Sequence, residues 1–237
     1  MKIAVFLAPG FEEIEALTPV DYLRRAGQDV ITVSVPAKGS SEKTSVVEGS
    51  HGISVFADKI LCDFIDEIDE NLFDAAVFPG GMPGATNLAA EPWISSFICK
   101  MAQSGKIIAS LCASPAVVLA KTGVLSQKKW TCYPGMEADL AKWCGSEENA
   151  RTALKNATHI PDVPFVLDGN ILTGWQDIDD SWYYLSDDGR LDTGWILIGE
   201  DWYYANDDGA ILIDCTVEID GATCTFDSDG LLVDYVE

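Results

Sequence analysis

At 237 residues, 48% of them hydrophobic, the chain has enough apolar material for one substantial core, or for one domain and a smaller module. Its formal net charge of −23 excludes nucleic acid as a partner for either half. The charge is unevenly spread: 17 of the 38 acidic residues lie between Gly174 and Glu237, where Arg190 is the lone cation, so that stretch carries −16 against −7 for the first 173 residues. A domain boundary near residue 173 follows.

Lys2 to Leu7 is a short, continuous apolar run, the pattern of a strand covered on both faces. Ile14, Leu17, Val20 and Leu23 then share a helical face. Thr18 and Pro19 suit an N-cap and a first turn, which predicts a short turn over Glu12 to Ala16 and a main helix ending before Gly27. Asp29 to Val35 reads as the second strand, Ile53 to Phe56 as an edge pairing and Asp74 to Phe78 as a buried parallel strand. The loop Pro79-Gly80-Gly81-Met82-Pro83-Gly84 follows, with glycines that let backbone approach a ligand closely. Trp93 to Gln103 is a predicted helix, Lys106 to Leu111 a strand, and Val163 to Thr173 a hairpin turning at Asp168-Gly169. Strands alternating with helices predict an α/β fold with a doubly wound, mainly parallel sheet over residues 1–173.

From Gly174 the pattern changes. Trp175 recurs as Trp195, Trp182-Tyr183-Tyr184 as Trp202-Tyr203-Tyr204, and Asp188-Gly189 as Asp208-Gly209, each twenty residues on. A worn third copy has Cys215 and Thr223 at the Trp positions and closes at Asp229-Gly230. Each unit reads as an aromatic strand, an Asp-rich turn ending in Gly and a second strand. Such hairpins do not stabilise themselves singly and are expected to stack into a small β-solenoid over residues 174–237.

The seven cysteines are scattered and lack CxxC spacing, so the sequence implies neither a zinc site nor a disulfide framework, and a reducing compartment fits. Pro9, Gly10, Glu12 and Glu13 interrupt the opening apolar run before it could serve as a signal peptide, and no later run approaches a membrane span. A cytoplasmic protein is the expectation.

Cys112 ends the strand of KIIASLCASP and precedes a helical pattern from Ala116 to Ala120. At the carboxyl end of a parallel strand, a sharp strand-to-helix turn pushes one side chain into the ligand crevice. A helix N-terminus there would favour the thiolate; the alternative is an inert cysteine buried at the end of a core strand. Glu15, beyond the first strand and so at the same sheet edge, is the candidate proton partner. It would have to be protonated, because an ionised Glu would raise the thiol pKa; the plainer alternative is a solvated acid in a helix's first turn. The Gly80 and Gly81 amides either polarise a substrate oxygen or merely make a tight turn.

Together GFEEIE (Gly10 to Glu15), FPGGMPGA (Phe78 to Ala85), SLCASP (Ser110 to Pro115) and TCYPGME (Thr131 to Glu137) resemble the PfpI superfamily, in the branch of the Parkinsonism-associated deglycase (DJ-one). The resemblance covers residues 1–173 and implies a flavodoxin-like, class I glutamine amidotransferase-like fold. It makes Cys112 the nucleophile, Glu15 its protonated partner, and Gly80, Gly81 and Ala113 the oxyanion and substrate-binding positions. It implies a cofactor-independent, metal-free enzyme acting on small reactive aldehydes: a glutathione-independent glyoxalase taking methylglyoxal to lactate, or a protein deglycase. A redox-sensing or chaperone-like stress protein with an oxidisable Cys112 is the second reading, and a homodimer is left open. Ala113 stands where the superfamily's peptidases carry a His, which argues against proteolysis; Tyr133 stands where some relatives have a His, and His51 where some have an Arg. Where the family continues into an Arg-Gly-Pro-Gly turn and a closing helix, Thr173 runs into Gly174-Trp175, so a sheet face is expected to lose its usual cover.

The repeats resemble choline-binding-type cell-wall repeats. That resemblance makes Trp182, Tyr184, Trp195 and Trp202 candidate members of an aromatic cage for quaternary ammonium groups, with choline or a cell-wall polymer as partner. The alternative is aromatics that only pack hairpin on hairpin.

Overall fold

Ile3 to Leu7 are all buried, and alternate residues of this strand enter different cores. In the computed structural model, which describes residues 1–67, 73–161, 163–174, 193–198, 201–207, 209–228 and 230–236, β1 (Lys2–Leu7) sends Ala4 and Phe6 to one face and Ile3, Val5 and Leu7 to the other. That is why the run reads as continuously apolar. The chain divides into two units, Met1–Gln176 and Asp177–Glu237.

In the first unit α1 (Glu13–Arg25) leads to β2 (Asp29–Ser34), parallel to β1. The expected break at Thr18-Pro19 is absent. Glu12 caps a single helix by accepting the Glu15 N–H at 2.9 Å, and Pro19 inside it forgoes only the bond to the Glu15 carbonyl. β3 (Val46–Glu48) and β4 (Ser54–Phe56) form a ribbon of their own, so the expected edge pairing is not to the central sheet. Then come β5 (Lys59–Ile60), α2 (Leu61–Glu67), β6 (Ala75–Phe78), α3 (Gly84–Ala90), α4 (Pro92–Gln103) and β7 (Ile107–Leu111). Beyond the Cys112 turn lie a π turn (Pro115–Leu119), a 3-10 turn (Ala120–Thr122), β8 (Lys129–Trp130), a second 3-10 turn (Met136–Asp139), α5 (Leu140–Cys144), α6 (Glu147–Ala153) and β9 (Thr158–His159), which pairs in parallel with β8. β10 (Phe165–Asp168) and β11 (Ile171–Gly174) form the expected hairpin.

The central sheet runs β10-β11-β7-β6-β1-β2-β5, parallel except for β10. One face is filled by aromatics: Phe6 stacks on Phe78 at 5.2 Å and meets Phe64 and Phe97 edge-on at 5.5 and 5.4 Å. On the other, Ala16 and Val20 of α1 cover Ile3, Val5 and Leu7. Burial fails along that second face. The register aligns Val5, Val77, Ala109, Leu172 and Leu167 in one row, and Leu167 at its end is 63% exposed, with Phe165 and Ile107 each at 41%.

In the second unit β12 (Gly194–Ile198) pairs with β13 (Asp201–Ala205), while β14 (Cys215–Ile219), β15 (Ala222–Phe226) and β16 (Leu232–Val236) form an antiparallel meander. The pairing differs from the expected unit. The Gly-Trp strand pairs directly with the Trp-Tyr-Tyr strand, and the Asp-rich turn follows that hairpin rather than making it. The turn residues bond their own backbone: Asn206 Oδ1 accepts the Ala210 N–H and Asp227 Oδ1 the Leu231 N–H, each at 2.9 Å.

Candidate active site

Three parallel strands deliver the site. β1 ends in the loop before α1 and its Glu15, β6 ends in Pro79-Gly80-Gly81, and β7 ends in Cys112, all at the carboxyl edge of the sheet. Cys112 has φ +53°, the strained conformation of a residue forced out of a strand by a sharp turn. Its backbone is pinned on both sides: its N–H donates to the Gly174 carbonyl at 2.6 Å, and its own carbonyl accepts the Tyr133 N–H at 2.8 Å. The buried Ser114 hydroxyl donates to the Pro79 carbonyl at 2.6 Å and ties this turn to the glycine loop.

Glu15 is 4% exposed, and its Oε2 accepts the Gly80 N–H at 2.6 Å. The packing requires glycine at position 80, since a Cβ there would lie 2.7 Å from Cys112 Cβ and 2.8 Å from Glu15 Oε2. The Gly80 amide is therefore already used and is not free for a substrate oxygen. The Gly81 and Ala113 amides act on the thiol instead, drawing its pKa down against the effect of burial.

Burial pushes the Glu15 carboxyl up to about 7, against the opposing effect of the Gly80 N–H. Burial, with the adjacent Glu15 charge, pushes the Cys112 thiol up to about 12. Beside Glu15 the sulfur is thus held toward the thiol, not toward the low-pKa thiolate expected from a helix N-terminus. The cause is burial first and the negative Glu15 beside it second, and together they outweigh what the helical stretch after Cys112 would favour.

Residues 1–183 match the DJ-1/PfpI family. The chain belongs to the DJ-1/PfpI family. A DJ-1 superfamily protein from Salmonella typhimurium, solved as a mutant, superposes with a TM-score of 0.58 at 34% identity, over 73% of this chain and 80% of that one. DJ-1 homolog B of Arabidopsis thaliana is 33% identical over 153 residues, 65% of this chain but 32% of that protein, so the chain spans about a third of this relative's length. A Pyrococcus furiosus relative named deglycase PfpI is 31% identical over 59% of this chain and 76% of its own length. Residues 172–214 match a choline-binding repeat.

In this family member the three acids that open α1 have three roles the sequence did not separate. Glu12 caps the helix and Glu15 faces the thiol. Glu13, also buried, holds the loop after β3: its carboxylate accepts the His51 N–H at 2.8 Å and lies 2.9 Å from His51 Nδ1. Burial opposes ionisation there, but the hydrogen bonds from His51 and Ser50 hold Glu13 down at about 2.

Of the cage candidates, Trp182 and Tyr184 lie outside the described residues. Trp195 and Trp202 meet edge-on at 6.1 Å, but Trp195 also packs against Tyr204 at 5.1 Å and Phe226 at 6.2 Å within the small core of Ile219, Ala222, Cys224 and Phe226. Trp202 remains 43% exposed. Among the described residues no helix is long and apolar enough to cross a membrane.

Proposed function

We propose that the first unit is a cofactor-independent cysteine enzyme that converts small reactive α-oxoaldehydes, methylglyoxal above all, to 2-hydroxy acids without glutathione. The observation that carries this reading is the Cys112–Glu15 pair at the strained turn, with Glu15 poised near neutrality and two amides at the sulfur. Glu15 as carboxylate takes the thiol proton while the sulfur bonds to the aldehyde carbon, and the C=O becomes an alkoxide beside the Gly81 and Ala113 amides. Glu15, now protonated, returns that proton to give a hemithioacetal; the resting carboxylate of this scheme differs from the resting protonated Glu15 that the sequence led one to expect. Glu15 then takes the C–H proton of the former aldehyde carbon, forming an enediol, and delivers it to the neighbouring carbon. The resulting lactoyl thioester is hydrolysed by water, which frees lactate and the thiol. A deglycase activity like that named for the Pyrococcus furiosus relative would begin instead with the sulfur displacing the amine at a hemiaminal carbon, Glu15 taking the thiol proton and passing it to the departing amine, and would continue through the same hemithioacetal.

The test is lactate release from methylglyoxal in glutathione-free buffer. Turnover by the wild type and none by Cys112→Ala is the expected result; full activity in Cys112→Ala, or none in the wild type, overturns the reading. A redox role draws support from the same two amides, which would also receive sulfinate oxygens. Selective sulfinate at Cys112 under mild peroxide, with no turnover, would favour it. For the repeats, the involvement of Trp195 in packing favours a structural role over a choline cage.

A further inference from the structure

Cys132, Glu137 and His159 bring a sulfur, a carboxylate oxygen and an imidazole nitrogen together, all within 4.8 Å of one another. Cys132 Sγ lies 3.9 Å from Glu137 Oε2 and 3.7 Å from His159 Nε2. Around tetrahedral zinc, with Zn–S near 2.3 Å and Zn–N or Zn–O near 2.0–2.1 Å, the corresponding edges are about 3.5–3.6 Å. The two edges that meet at the sulfur need to close by only a few tenths of an ångström, and the carboxylate–imidazole edge, which lies within 4.8 Å, closes to about 3.3–3.4 Å around the ion.

Each donor is presented by structure that does not involve the others. The β8–β9 register pairs Trp130 with His159, the Ile160 N–H donates to the Trp130 carbonyl at 2.8 Å, and the buried Trp130 ring lies 4.8 Å from the imidazole, which fixes its plane. Cys132 is held between two backbone anchors, Thr131 N–H to Thr173 Oγ1 at 2.9 Å and Tyr133 N–H to the Cys112 carbonyl at 2.8 Å. Glu137 sits on the turn Met136–Asp139, whose first N–H donates to the Tyr133 carbonyl at 3.1 Å. Cys132 is buried while Glu137 and His159 are half-buried, so the cluster is open on the carboxylate and imidazole side.

We propose that Cys132, Glu137 and His159 bind a borderline divalent cation of the zinc type, with the fourth position open to water. A thiolate with an imidazole selects such a cation over magnesium or calcium, and three protein donors leave one position free. On binding, Cys132 releases its thiol proton to solvent and the sulfur becomes the ligand. The site is separate from the Cys112–Glu15 pair but shares the Tyr133 anchor with it, so a bound ion would stiffen the segment that holds the Cys112 carbonyl.

Cobalt(II), whose thiolate complexes absorb by charge transfer in the near ultraviolet, is the probe, titrated into the full-length chain and then displaced with zinc. The expected result is a band saturating at about one equivalent, lost in Cys132→Ser and His159→Gln and retained in Cys112→Ser and His51→Ala. Glu137→Gln, which keeps the volume and removes only the charged donor, should bind at least about tenfold more weakly. If Cys132→Ser fails to fold by circular dichroism, His159→Gln and Glu137→Gln decide the matter. No band in the wild type, a band unchanged in His159→Gln, or one lost in Cys112→Ser or His51→Ala overturns the assignment.

Discussion

Glu15→Gln should change how the first unit's stability depends on pH, not merely its activity. Folding raises the Glu15 carboxyl from 4.5 to about 7, through burial first of all. At about 1.4 kcal/mol per pH unit, that shift corresponds to roughly 3 kcal/mol. The sign follows from proton uptake. Between the two pKa values the folded state holds a proton that the unfolded state has lost, so the contribution is fully present below 4.5 and is lost as pH rises through 7. Glutamine keeps an acceptor for the Gly80 N–H and has no proton to lose. The wild type should therefore lose stability relative to Glu15→Gln by about 2–3 kcal/mol between pH 5 and 8.5, and acids not coupled to Glu15 cancel in the comparison. The range stops at pH 5 because the chain is near its isoelectric point of about 4.1 below that. Urea unfolding read by hydrogen exchange in β1 and β6 peptides reports on this unit alone. A difference between the two proteins that stays constant across the range would refute the buried, proton-holding Glu15.

The activity of the wild type on methylglyoxal should rise with pH through about 7, as Glu15 ionises and becomes a base, and Glu15→Gln should lose that limb along with about 100-fold or more of kcat/KM. A profile that falls through 7 would reject the base role. Gly80→Ala places a methyl 2.7 Å from Cys112 Cβ, so about 1–3 kcal/mol of strain and a clear loss of turnover are expected; normal kinetics would show that the loop yields freely. Ser114→Ala strands the Pro79 carbonyl in a buried site and should cost about 1–3 kcal/mol by denaturant melts, with no effect if the hydroxyl is dispensable. Trp195→Ala should cost the second unit about 3 kcal/mol through the gap left beside Phe226, while retention on a choline matrix by the wild type, lost in this variant, would revive the cage.

What was legible in the sequence was local chemistry. A strand that stops at Cys112 among small residues, and a loop of Gly80 and Gly81 after another strand, announce themselves because each needs only its neighbours. The Asp168-Gly169 hairpin was legible for the same reason. The start of α1 was not, because Thr18-Pro19 carries the same signal at a helix start as in a helix that tolerates a proline in its second turn. The π turn at Pro115–Leu119 was hidden because an all-apolar, fully buried stretch has no periodicity to distinguish a bond to i−5 from one to i−4. The Cys132, Glu137 and His159 cluster depends on β8 pairing with β9, which brings Cys132 to His159 across 27 residues, a separation that no ligand spacing encodes.

The junction after Thr173, where the expected closing helix gives way to the repeats, affects the sulfur and the sheet differently. Everything that aims Cys112 lies at or before Gly174: the Gly174 carbonyl on its N–H, the Tyr133 N–H on its carbonyl, the Ser114 tie to Pro79 and the Gly80 amide on Glu15. Gly174 is the last residue of β11, registered against Leu111 of β7, so the strand reaches just far enough to hold the turn before the sequence departs. The cost falls on the row that ends at Leu167. Full burial of a large apolar side chain contributes about 1.5–3 kcal/mol, so leaving Leu167, Phe165 and Ile107 largely or half exposed forgoes a few kcal/mol. That loss is spread over the β7–β11–β10 end of the sheet, on the face opposite the aromatic core. The geometry of the Cys112 site and the stability of the sheet that carries it are therefore set by different residues, and substitutions on the exposed row should move melting behaviour without moving the pH limb that Glu15 sets.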